Sequence, residues 1–111
     1  MIRQLAQSRP SGTSAVSAWT PTVAAPYRVV LVSICNVTTN PVDVSLFHDV
    51  DGTTYDESTA LVWKHTLVAG EILCYESEIS DYRAAGNLAV KSSVANGATF
   101  SVYGEIQGER L

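Results

Sequence analysis

Acid is what the first part of this chain lacks: residues 1–42 contain Arg3, Arg9 and Arg28 but neither Asp nor Glu. All 11 acidic residues lie in 43–111 against Lys64, Arg83, Lys91 and Arg110, so a leader of +3 precedes a body of −7. Lys and Arg are too few and too scattered to neutralise a run of phosphates, which argues against nucleic acid as the main partner. No run approaches the roughly 20 apolar residues that span a bilayer. The start, Met1–Gln7, has no continuous apolar stretch, so neither a membrane segment nor a secretory signal is expected. Cysteine is scarce. Cys35 and Cys74 could make one disulfide, yet each lies in an apolar run where a thiol behaves as a small hydrophobe, and free, buried thiols are expected. There is no C-x-x-C and no His near a Cys in a zinc pattern. A G-x-S-x-G elbow and a glycine-rich phosphate loop are missing too, so neither catalysis nor a cofactor is expected.

What is present is a series of short β-rich runs divided by turn signals. Arg28–Cys35 is apolar on both faces, as in a strand covered on two sides. Val42–Val50 alternates, with Val42, Val44, Leu46 and Val50 on one face and Asp43, Ser45, Phe47 and Asp49 on the other. Ala60–Leu67 places Leu61, Trp63, His65 and Leu67 together, which marks Trp63 as core. Glu71–Glu76, Leu88–Val94 and Ala98–Ile106 follow, with Ser80–Gly86 read as loop. Asp51-Gly52, Ala69-Gly70 and Asn96-Gly97 are turn signals, and Asn96-Gly97 is the strongest hairpin signal of the three. A single sheet would leave the first strand uncovered, so an all-β antiparallel β-sandwich over residues 27–111 is the physical expectation.

Residues 1–26 differ in character. Pro10, Pro21 and Pro26 break any long helix, Ser8–Ser14 is linker chemistry, and Ile2–Gln7 allows one amphipathic helical turn too short to stand alone. Ala15–Thr22 reads as an edge strand. The region is expected to be an extended N-terminal arm ordered by packing, with Ile2, Arg3, Leu5, Arg9 and Trp19 as candidate protein-interface residues.

His48, Asp49, Asp51, Asp56 and Glu57 crowd one hairpin. Oxygen ligands at such spacing suit Ca²⁺, but the twelve-residue calcium loop is lacking. A solvated acidic loop is therefore the favoured reading, with Asp49, Asp51 and Asp56 as weak metal candidates. His48 and His65 occupy apolar-facing positions and are expected to be hydrogen-bonded interior or interface residues. Tyr55, Tyr75 and Tyr82 are candidate ligand contacts of a sugar-stacking kind. Asn36-Val37-Thr38 is a glycosylation sequon, relevant only to a secretory route.

Several motifs together carry a resemblance. Thr22-Val23-Ala24-Ala25-Pro26, Val32-Ser33-Ile34-Cys35-Asn36-Val37 and Val42-Asp43-Val44-Ser45-Leu46-Phe47 are followed by Thr66–Leu73 and by Ala98-Thr99-Phe100-Ser101-Val102-Tyr103-Gly104. In this order they resemble small tailed-bacteriophage virion proteins with a β-sandwich, often jelly-roll-like, across residues 20–106. The entry Ala25-Pro26-Tyr27 departs from the proline-alanine-glycine turn of that group. The resemblance implies a non-enzymatic structural protein at head, head–tail joint or tail, with capsid decoration or cement as the first expectation. It implies self-association as a homotrimer, the major capsid protein or other virion proteins as partners, and assembly in the host bacterial cytoplasm. A receptor- or carbohydrate-binding tip domain is the alternative from another class.

Overall fold

Eight strands follow one another in a computed structural model that describes residues 2–20, 27–49, 52–81 and 87–106. They are β1 Arg3–Ser8, β2 Val16–Trp19, β3 Tyr27–Asn36, β4 Val42–Asp49, β5 Ala60–Leu67, β6 Ile72–Asp81, β7 Asn87–Ser92 and β8 Ala98–Ile106. Their pairing is nested. β1 lies against β8, β2 against β7, β3 against β6 and β4 against β5, all antiparallel. The chain is thus one long hairpin closed at β4–β5, rolled so that successive pairs alternate between two sheets. Pairing of β3 with β8 and of β4 with β7 completes the sheets, in the orders β1-β8-β3-β6 and β2-β7-β4-β5. This is an antiparallel β-sandwich with the strand order of a jelly roll.

Alternating apolar side chains fill the space between the sheets. β3 contributes Tyr27, Val29, Val32 and Ile34, β4 contributes Val42, Val44 and Leu46, and β8 contributes Ala98, Phe100 and Val102. Leu67, Ile79, Leu88 and Val90 complete the cluster. Each fully buried Val, Leu, Ile or Phe contributes about 1.5–3 kcal/mol from the area withdrawn from water. The spacing Val29–Val32 departs from strict alternation because Val29 faces Gly104 while Leu31 faces Tyr103, leaving Val30 as an extra residue. Gly104 sits against this bulge, and a Cβ there would overlap the Arg28 carbonyl oxygen.

The structure departs from several expectations. Residues 3–8 and 16–19 are strands of the two sheets, so the boundary expected at residue 26 does not divide the hydrogen bonding. The helical turn at Ile2–Gln7 is a strand because β8 offers it a row of backbone partners. Asn96-Gly97 does turn the chain, with Asn96 at φ 57° and Gly97 N–H donating to the Val94 carbonyl. Yet β7 and β8 lie in different sheets, since each already has its nested partner. β6 runs through Ser80 to Asp81, opposite Arg28 and Tyr27, where a loop was expected. No described strand covers the outer face of β3, where Leu31, Ser33 and Cys35 are half-buried. Both thiols are free, and Cys74 is exposed rather than buried.

Candidate interaction surfaces

The five residues expected at an interface do not form one patch. Ile2 and Arg3 stand at the start of β1, and Arg9 follows its end, a strand length of about 20 Å away. Ile2 is 46% exposed and Arg9 is exposed. Arg3 lies in β1, and its Nη1 donates to the Gln4 carbonyl at 3.3 Å. Leu5 and Trp19 turn inward and pack on the core. Trp19 meets Tyr27 edge to face, with ring centroids 4.6 Å apart, so it closes the core at the end of β2.

Asp49 and Asp56 of the acidic hairpin accept hydrogen bonds from the hairpin's own backbone. Asp49 Oδ2 accepts from Thr53 N–H at 2.8 Å and Thr54 N–H at 2.7 Å. Asp56 Oδ1 accepts from Ser58 N–H at 2.8 Å and from the Ser58 hydroxyl at 2.5 Å. These bonds hold the Asp56 carboxyl below its ordinary pKa of 3.8, the Ser58 hydroxyl contributing most. Asp51 and Val50 lie outside the described residues. Among the described residues no three potential ligands converge on a metal position.

Loop 52–59 instead has a packing role. Phe47 is buried on the outer face of its sheet, away from the main core, beneath Tyr55 at 6.2 Å and Trp63 at 6.1 Å between centroids. Trp63, expected in the core, is 44% exposed. The cause is local: Lys64 takes φ 48°, and the β4–β5 register shifts between Val44 and Leu46. The irregularity turns Trp63 outward. Asn87 ties this region to β2, accepting from the Ser17 and Thr20 hydroxyls, both at 2.7 Å, and donating to the Tyr55 hydroxyl. His48 is half-buried with Nε2 3.2 Å from the Tyr27 hydroxyl, whereas His65 is exposed rather than interior. Tyr75 is half-buried against the core, and Tyr82 lies outside the described residues.

A surface not anticipated from sequence lies at the other end of the sandwich. Nested pairing brings the β1–β2, β3–β4, β5–β6 and β7–β8 connections together there. Asn96 N–H donates to the Pro10 carbonyl at 2.8 Å, Val37 N–H to Gly97 at 3.1 Å and Asn36 N–H to Glu71 at 3.0 Å. The buried Asn36 amide binds the cluster, its Nδ2 donating to Asn40, Leu67 and Val68 carbonyls at 2.8, 2.9 and 3.1 Å. Its Oδ1 accepts from Thr38 N–H at 2.9 Å and the Thr38 hydroxyl at 2.8 Å. Three of these loops present an exposed valine: Val37 at 48%, Val68 at 56% and Val94 at 40%. Residues 9–15, 37–41, 68–71 and 93–97 contain only Arg9 and Glu71 as charged residues. Depletion of charge marks the centre of an interface, and here it coincides with exposed aliphatic side chains. The signal in the sequence is the absence of charge from alternate loops, which is visible only once the nested order is known.

In fold, the chain is similar to a chain in the structure of infectious bursal disease virus, Gx strain, with a TM-score of 0.54 and 12% sequence identity. The likeness covers 100% of this chain and 33% of that one, so this chain spans about a third of the viral chain's length. That virus is not a tailed bacteriophage; the likeness reaches a viral β-fold and stops short of the phage group suggested by the motifs. No protein-family model matches the sequence, and no curated protein does.

Proposed function

We propose that this chain is a structural virion protein, without a catalytic step of its own, that works by binding other subunits of a virus particle. The observation that carries the reading is the nested strand order, a jelly roll of the kind found in viral capsid and lectin domains. The fold likeness to a chain of a virus structure supports it. Fold alone hosts many functions, so the reading also leans on the charge-poor loop end, which offers Val37, Val68 and Val94 as contacts.

Within that role we place the protein as a capsid decoration protein of a tailed bacteriophage, self-associating as a trimer, on the strength of the motif resemblance. The sandwich supplies a rigid shape. The loop end seats on the particle, and Ile2, Arg3 and Arg9 lie along β1 where a neighbouring subunit can meet them. Joining three copies multiplies the effective affinity of a weak contact. Head–tail and tail positions share the fold and differ in copy number.

The test is quantitative mass spectrometry of particles purified through a density gradient. The protein should appear in fixed ratio to the major capsid subunit, and particles without it would sink the reading. Val68→Asp with Val94→Asp should abolish this incorporation while leaving the fold intact, because both side chains are solvent-facing in loops.

A further inference from the structure

The chain has two lysines, Lys64 and Lys91, on strands separated by β4, and both line one depression of about 210 Å³ on the outer face of the β2-β7-β4-β5 sheet. Asp43, Ser45 and Ser93 complete it. Although the chain carries 11 acids, neither lysine is ion-paired with a carboxylate among the described residues. We propose that this depression is a binding site for a carboxylate-bearing sugar, of the sialic or uronic acid class.

The chemistry of the lining selects that class. Two ammoniums against one carboxylate leave a net charge of +1, which matches a single carboxylate better than a phosphate dianion. Ser45, only 3% exposed, accepts Lys64 N–H at 3.0 Å, and Ser93 accepts Asp43 N–H at 2.9 Å. Neither hydroxyl donates to a described atom, so each has its proton to offer a ligand. Asp43 uses Oδ1 for the Thr66 hydroxyl at 2.6 Å, and Oδ2 is left to accept from a ligand hydroxyl. A bare anion brings no hydroxyl to use it; a sugar acid does.

Trp63 lies next to the depression and steers the lysine. It is 44% exposed, and the Lys64 ammonium lies 5.0 Å from its ring centroid. Lys64 itself is held at φ 48°, a left-handed conformation that side chains other than glycine seldom adopt. Strain of this kind, fixed here by the Ser45 bond, collects at ligand clamps.

The test is a ¹⁵N NMR titration of the full chain with N-acetylneuraminic acid and glucuronic acid, against their methyl esters and acetate. Amides of Asp43, Ser45, Lys64, Lys91 and Ser93 should shift with millimolar midpoints for the acids. The esters and acetate should bind at least tenfold more weakly. Lys91→Gln and Lys64→Gln should each weaken the acids at least tenfold while the remaining spectrum is unchanged. Absence of shifts, equal binding of acid and ester, or acetate binding as well as the sugars would overturn the proposal. Should a variant fail to fold, the acid–ester comparison on the unaltered protein decides alone.

Discussion

Asn36 shows how one side chain carries two readings. Its sequence context is a glycosylation sequon, yet in the fold the amide is buried and bonded to three carbonyls. A transferase cannot reach it without opening the loop end. Replacing Asn36 with Asp removes the donor and sets an acceptor against those carbonyls. The variant should lose about 3 kcal/mol or more in urea unfolding; a loss under about 1 kcal/mol would show that the amide does not bind the loops together. At this scale the sequence was legible where period two held: Val42, Val44 and Leu46 are buried together. It misled where the backbone broke the period. Trp63 sits on the core-facing parity of its run, but the neighbouring positive φ at Lys64 turns the parity over.

At the scale of elements the leader is the main revision. Composition marks 1–26 as an arm, because Pro, Ser and Gly weaken both regular patterns and the charge changes near residue 42. No local signal reveals that β8 and β7 each need an outer neighbour, since those partners lie 69 or more residues away. Residues 3–8 and 16–19 therefore cover strand edges that would otherwise be open to aggregation. Deleting residues 2–20 should remove the cooperative unfolding transition and give an aggregating protein. A truncated chain that unfolds cooperatively with its original midpoint would restore the arm.

Loop 52–59 gives the second prediction at this scale. The Asp56 carboxylate is stabilised by Ser58, so its folded pKa lies below the ordinary 3.8. Its contribution to loop stability is therefore fully present above 3.8 and is lost as the pH falls through the lowered value. The Ser58 amide resonance should titrate with a midpoint under 3.8 and stay flat in Asp56→Ala. A midpoint at or above 3.8 would contradict the bond.

On the scale of the whole molecule, the nested topology sorts charge by end. One end carries Asp49, Asp56 and Glu57, with Arg28 and Glu105 paired at 2.7 Å beside them. The other gathers four loops with a single acid and a single base. The two-sheet architecture was legible, because a run apolar on both faces needs cover and alternating strands supply it. Strand order was not: turn signals report that the chain reverses, not which sheet it enters next. The candidate interface inherited that gap, since its loops are adjacent only through the nesting.

The proposed role requires a place in the virus particle. Electron microscopy of intact particles labelled with antibody raised against this chain reads that place directly. For a capsid decoration protein, label should spread over the head. Particles that contain the full set of structural proteins yet bind no antibody, intact or after opening, would contradict that role.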